Sequence, residues 1–310
     1  MSVVGLLITV VGSGRVGTSA ALQIALKELG DIVLVDIVEG LPQGEALDLN
    51  HACAILNLDV EVTGTNDYKD IAGSDVVVVT AGMVRKADMT RLDLLHKNSE
   101  IIKSIAQNIK EYAPKAKVLV VTNPLDVMTY VMWKTTGFEH KRVMGFSGLL
   151  DMGRYRYLIR KELGVSYKSI RSMIIGEHGD TMVLLPRYTH VGELQLSNLL
   201  DGQKINEIIE RTRKAGAEII KLRGWSANHG PGAGVAEMVE ALVKDTKEVI
   251  PTSAYLNGEY GVKDVYIVVP CVLGKEGVEK IIELDLSQEE REQFLKSVEV
   301  VKQAVSQVKL

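Results

Sequence analysis

Leu6-Leu7-Ile8-Thr9-Val10-Val11-Gly12-Ser13-Gly14-Arg15-Val16-Gly17 decides the fold of this chain. The near-continuous apolar run Leu6 to Val11 predicts a strand buried on both faces. Behind it, Gly12 to Gly17 fits G-x-G-x-x-G, a weak signal alone and a stronger one between a strand and a helix. Gly12 permits a tight turn, Gly14 lets backbone N–H groups approach a pyrophosphate, and Gly17 allows close helix–strand packing. Arg15 to Leu29 has helical spacing and ends at Gly30, a C-cap signal. Ile32 to Val35 predicts a second buried strand, closed by Asp36, nineteen residues beyond Gly17. An acid there accepts hydrogen bonds from both ribose hydroxyls and repels a 2′-phosphate. No Lys or Arg occurs from Ile37 to Gly40, so NAD is expected rather than NADP.

Outward from that unit, strands and helices alternate. A helix is expected from Pro42 to Asn57, and strands over Val60–Thr63, Asp75–Thr80, Val118–Thr122 and Val143–Phe146. Asp93–Tyr112 predicts a long amphipathic helix. This alternation implies an α/β fold: an N-terminal, doubly wound parallel sheet over residues 1–146. The pattern then changes. A helix at Leu149–Leu163 precedes short strands over Ser172–Ile175 and Thr181–Leu185. Helices follow over Lys204–Leu222 and Val235–Val249, then strands over Thr252–Leu256 and Val265–Val269, with Asn257-Gly258 as a hairpin signal. Ser287-Gln288-Glu289-Glu290 is a capping-box pattern opening a C-terminal helix. Residues 147–310 are therefore expected to be an α+β domain with antiparallel strands.

Bulk properties narrow the function classes. The 310 residues are 46% hydrophobic and 25% charged, with net charge -4. That balance argues against a nucleic-acid or anionic-membrane partner. Cys53 and Cys271 have no metal-like spacing, so no metal is expected, and two isolated thiols fit a reducing cytoplasm. The opening Met1 to Leu6 has no charged region before its apolar run, so no signal peptide is expected, and the run is too short to span a bilayer.

Three further segments carry chemistry. Gly176-Glu177-His178-Gly179-Asp180 sets one histidine between glycines after a strand. Its ordinary pKa of about 6.5 suits a proton acceptor and donor near neutrality. Asp151-Met152-Gly153-Arg154 puts a carboxylate and a guanidinium on one helix face. As a surface pair they would contribute only tenths of a kcal/mol; as a site, Asp151 orients an imidazole and Arg154 clamps a substrate carboxylate. Arg85-Lys86-Ala87-Asp88-Met89-Thr90-Arg91 places two guanidiniums just past a strand end, where open α/β sheets bind ligands. Thr122-Asn123-Pro124 ends another strand at that edge.

Together these segments, with Ser253 to Gly261, resemble the lactate/malate dehydrogenase family over essentially the whole chain. Within it the chain is similar to the lactate-dehydrogenase-like malate dehydrogenases of archaea and bacteria. The resemblance implies reversible hydride transfer between (S)-malate and oxaloacetate with NAD as cofactor. It implies His178 as proton donor and acceptor with Asp151 as its partner, Arg154 on the carboxylate beside the reacting carbon, and Arg91 polarising the carbonyl. Arg85 and Asn123 complete the substrate contacts. Implied cofactor contacts are Gly12, Ser13, Gly14, Arg15, Val16, Gly17, Asp36, Thr80, Ala81, Gly82, Asn98, Val121 and Asn123. The family also suggests a cis Asn123-Pro124 bond and a homotetramer or homodimer joined through the helix Gly44–Leu56. At position 85 the family carries glutamine for lactate and arginine for malate. Ala227 falls where lactate enzymes tend to carry threonine. The loop departs from the usual Arg-Lys-Pro-Gly-Met-Thr/Ser-Arg, with Ala87 for proline and Asp88 for glycine. Two other readings stand: a lactate or broader 2-hydroxyacid dehydrogenase, and a non-catalytic NAD-binding protein.

Overall fold

The computed structural model describes residues 5–83 and 89–309. Arg85, Ala87 and Asp88 lie outside the described residues. Six parallel strands form the first half: β1 (Leu7–Val11), β2 (Asp31–Val35), β3 (Val62–Thr65), β4 (Val76–Val79), β5 (Lys117–Val120) and β6 (Val143–Gly145). Their spatial order is β3-β2-β1-β4-β5-β6. Helices α1 (Arg15–Leu26), α2 (Leu41–Leu56), α3 (Arg91–Tyr112) and α4 (Leu125–Thr136) supply the crossovers. All four valines of β4 are buried, as strands covered on both faces require. The order reverses between β1 and β4, so a crevice opens beyond the C-terminal ends of these two strands.

The second half adds α5 (Gly148–Leu163), then short strands β7 (Ile170–Arg171), β8 (Ile174–Ile175), β9 (Val183–Leu184), β10 (His190–Val191) and β11 (Leu194–Gln195). Helices α6 (Gly202–Arg223) and α7 (His229–Val243) follow. β12 (Glu248–Asn257), β13 (Lys263–Gly274) and β14 (Gly277–Ile281) are antiparallel, and α8 (Gln288–Ser306) closes the chain. β12 pairs with β6 through Ser253 and Gly145. The antiparallel strands thus extend the first sheet to nine, in one continuous layer.

Several expectations need correction. The helix expected over Val235–Val249 runs instead from His229 to Val243. Its glycines are there for close packing: a Cβ on Gly232 would lie 2.4 Å from Ser19 Oγ of α1. Positive φ at Asp245 and Lys247 turns the chain into β12, so Glu248 and Val249 are strand. α1 stops at Leu26 rather than Leu29, because Glu28 takes φ 48° before Gly30 at φ 149°. The strands expected over 172–175 and 181–185 shrink to two-residue pairs, Ile174 with Leu184 and Ile175 with Val183. Asn257-Gly258 is not a two-residue hairpin; Gly258 N–H bonds the Val262 carbonyl around a short turn. Helix α4 and strand β14 have no counterpart among the sequence expectations. The Ser287 capping box forms as expected, with its side chain and that of Glu290 each accepting the other's backbone N–H.

Candidate active site

The glycine turn follows β1 at the strand-order reversal. A Cβ on Gly17 would fall 1.8 Å from the Gly12 carbonyl oxygen, so α1 can start this close to β1 only with glycine there. Gly14 is exposed, and a Cβ on it would meet nothing within 4 Å. Thr80, just past β4, donates to the Gly12 carbonyl at 2.9 Å and pins the turn to the neighbouring strand. Thr122 does the same one strand over, donating to the Ala81 carbonyl at 2.7 Å. Asp36 ends β2 with one oxygen accepting from Ser13 N–H at 2.7 Å and the other from Val38 N–H at 3.0 Å. The Arg15 guanidinium lies 4.2 Å over the Trp225 ring, joining the turn to the α6–α7 connection.

Across the crevice, the chemistry gathers on α5 and the loop after β8. Asp151 sits in the first turn of α5 and is 1% exposed. Its Oδ2 lies 2.7 Å from His178 Nδ1, and its Oδ1 accepts from Arg154 Nη1 at 2.8 Å. Pairing with two cationic or donor groups offsets the cost of burying this carboxylate. Burial lowers the His178 pKa, but the charge and hydrogen bond of Asp151 outweigh it, and the net shift is upward.

The backbone around His178 is held from three directions. Gly176 exchanges hydrogen bonds with Val268 of β13, at 2.9 and 3.2 Å. Ser297 of α8, fully buried, accepts from Glu177 N–H at 2.6 Å. Asp126 of α4 accepts from His178 N–H at 3.0 Å and from the Ser253 hydroxyl at 2.6 Å. Burial raises the Asp126 carboxyl to about 6. None of Asp126, Ser297 and the Ser253 contact is foreseen from sequence. The one available signal was an acid inside the apolar run Leu125-Asp126-Val127-Met128.

A cavity of about 130 Å³ joins these parts; its lining includes Val16, Val121, Asn123, Arg154, His178 and Ala227. Asn123 precedes a cis bond to Pro124. Its carbonyl accepts from Asn98 Nδ2 at 2.7 Å, and Asn98 Oδ1 accepts from Met83 N–H at 2.8 Å. Asn98 therefore braces Asn123 against the chain segment after Gly82. Arg91 is not brought into the cavity. It opens α3 behind a Thr90–Asp93 capping box and pairs with Asp180 at 3.4 Å, both side chains largely exposed.

Residues 6–145 match the family model described as lactate/malate dehydrogenase, NAD binding domain, and residues 149–309 match its alpha/beta C-terminal domain. The chain belongs to the lactate/malate dehydrogenase family. A malate dehydrogenase of Pyrobaculum aerophilum is 52% identical over 303 residues, covering 97% of this chain and 98% of that one. The malate dehydrogenase structure from Salinibacter ruber superposes with a TM-score of 0.94 at 45% identity, covering 97% of each chain. A Cryptosporidium parvum lactate dehydrogenase, complexed with lactic acid and nicotinamide adenine dinucleotide, also reaches 0.94, at 40% identity and 97% coverage of both chains. The family fold thus carries both substrates, and choice between them rests on individual side chains.

NAD is the cofactor of this family domain, and the residues present fit it. The open face at Gly14, the Ser13 hydroxyl buried without a partner among the described residues, and the carboxylate ending β2 form a turn suited to a dinucleotide. No helix among the described residues is long and apolar enough to cross a membrane.

Proposed function

We propose that this chain is an NAD-dependent malate dehydrogenase that interconverts (S)-malate and oxaloacetate. The observation that carries the reading is the single cavity in which His178, backed by Asp151, meets Arg154, Asn123 and the glycine turn. Gly12 to Gly17 would hold the pyrophosphate and Asp36 the adenosine ribose, with Thr80, Ala81, Gly82, Asn98, Val121 and Asn123 along the rest of the cofactor.

In malate oxidation, neutral His178 takes the hydroxyl proton at Nε2 while its Nδ1–H stays donated to Asp151. Asp151 favours the imidazolium that results. Bound NAD+ supplies the hydride acceptor, and NADH the donor in reverse. Arg154 holds the carboxylate next to the reacting carbon and keeps it in register with His178. In oxaloacetate reduction the imidazolium returns its proton to the developing alkoxide. Arg91 stabilises that charge after leaving Asp180 and swinging inward, which excludes water from the cavity.

Arg85 selects the substrate in this reading. The distal carboxylate of oxaloacetate pairs with it, a charge-assisted contact of about 1.5–3 kcal/mol. Pyruvate offers a methyl group and leaves the guanidinium unpaired, which costs roughly 3–5 kcal/mol where the pair is buried. Ala227 on the cavity wall agrees with malate rather than lactate. The active species is a homotetramer, with a homodimer as its smaller alternative. Leu47, Ile55 and Leu56 of α2 point outward at half exposure or more, which supports this helix as a contact between copies. Light scattering decides the copy number.

Steady-state kinetics with NADH and NADPH against oxaloacetate and pyruvate tests the reading. NADH with oxaloacetate should exceed NADH with pyruvate in kcat/KM by about a hundredfold or more. A pyruvate preference would make it a lactate dehydrogenase, and no oxidation of NADH with either acid would leave a non-catalytic NAD-binding protein.

A further inference from the structure

We propose that Asp126 is a positioning residue of the site, a second buried carboxylate that fixes the His178 backbone and whose charge sustains the imidazolium. The inference rests on His178 being the proton carrier.

Asp126 is 3% exposed. Its hydrogen-bond partners among the described residues are neutral: the Ser253 hydroxyl and the His178 N–H. An asparagine could accept from the His178 N–H and donate to a reoriented Ser253 hydroxyl without the penalty of burying a charge. The first turn of α4 favours an acid through the helix dipole. That alone does not explain why both oxygens bond other segments, one on β12 and one beside the base. The group that gains from a negative charge here is the imidazolium of residue 178. Asp126 also lies three residues after Asn123, so one side chain ties the cavity wall, the central sheet and the base together.

Among the described residues, the charged groups facing His178 are few. Asp151 and Arg154 come from α5, Asp126 from α4, and Glu177 and Asp180 flank it in its own loop. Asp180 is taken up by Arg91, and the Glu177 carboxylate accepts from Thr181. The β13 partner of the loop is the backbone of Val268, and the α8 partner is the hydroxyl of Ser297. The Arg154 charge opposes the imidazolium, while Asp151 and Asp126 favour it.

The test is Asp126→Asn, which keeps the shape and the acceptor for the His178 N–H, removes the charge, and turns the Ser253 hydroxyl from donor to acceptor. The His178 ring is titrated by NMR in the cofactor-free protein, its signal assigned by its loss in His178→Gln. The midpoint should fall by roughly one pH unit. The pH profiles of malate oxidation and oxaloacetate reduction should move down with it. A midpoint within about 0.2 unit of the parent overturns the proposal, even where activity drops evenly at all pH values, since that marks a purely structural role. Should Asp126→Asn not fold, the coupling is read in reverse. In His178→Gln the Asp126 carboxyl, followed by carbon NMR, should titrate higher than in the parent, and an unmoved value overturns the proposal. A parent enzyme inactive with oxaloacetate would sink the proposed function instead, and that assay is independent of both titrations.

Discussion

Asp151 divides its two oxygens between His178 and Arg154, at 2.7 and 2.8 Å. One buried carboxylate thus raises the proton affinity of His178 and fixes the direction of the Arg154 guanidinium. The same i,i+3 spacing on a surface helix would be a weak ion pair. Here burial and a third partner make it the centre of the site.

Asp151→Asn should therefore lower kcat by about a hundred- to ten-thousandfold, because the tautomer and charge that support His178 are both lost. The His178 pKa is raised above its ordinary value, so malate oxidation, which needs the neutral ring, increases as pH rises through the raised value. Oxaloacetate reduction decreases over the same range. In the variant both limbs move to lower pH. Stability follows the same sign: the contribution of the His178–Asp151 pair is fully present below the unfolded pKa of about 6.5 and is lost as pH rises through the folded one. The gap in Tm between parent and variant should be widest below about pH 6.5. Rate profiles and calorimetry across pH check both statements.

Gly17 and Gly14 should separate fold from cofactor. Gly17→Ala puts a Cβ against the Gly12 carbonyl, a backbone group that cannot step aside. It should cost roughly 2–4 kcal/mol of stability. Gly14→Ala meets no atom within 4 Å, so Tm should hold while NADH binding weakens by about tenfold or more. Calorimetry and fluorescence titration of the two variants distinguish them. Equal losses of Tm would be the contrary result.

Gly216 of α6 sits beside Arg154, the substrate clamp of the proposed mechanism. A Cβ there would lie 3.3 Å from Arg154 Nη2, close enough to push the guanidinium. Alanine ordinarily stabilises a helix interior by about 1 kcal/mol relative to glycine. Gly216→Ala should therefore keep or raise Tm while raising KM for the acid several-fold, by roughly two- to tenfold. A variant with parental KM would show that Arg154 has room to give.

Arg85→Gln should shift preference from oxaloacetate toward pyruvate by about a hundredfold in the ratio of kcat/KM values. The position lies outside the described residues, so this prediction stands on the chemistry of the side chain and the family resemblance. An unchanged ratio in a two-substrate assay would remove Arg85 as the selector.

The N-terminal sheet was legible because parallel strands covered on both faces are written as unbroken apolar runs, such as Val76 to Val79, punctuated by glycine turns. Asp36 and the glycine turn were legible for the same reason, being placed by local chain direction. Helix α4 was hidden behind Asn123-Pro124, which signals an ending even though proline also suits a helix start. The start of α7 was hidden by Gly230, Gly232 and Gly234, which look like breakers until Ser19 and Phe146 are seen packed against them.

By itself, the sequence determined the Rossmann-type half and the acid that favours NAD, and with the family resemblance it singled out His178, Asp151, Arg154, Arg85 and Arg91 as candidates for the chemistry. The fold and the acid follow from local period and turn residues, and the candidates from functional-group chemistry read with the family resemblance. Tertiary structure alone decided that Asp151 meets His178 across 27 residues, that Arg91 faces out toward Asp180, and that Asp126, Val268 and Ser297 hold the loop of the base from three separate elements. Such contacts depend on the continuous sheet that brings β12 beside β6 and β13 beside the His178 loop. No local pattern encodes them, because each bond joins groups whose neighbours along the chain lie elsewhere.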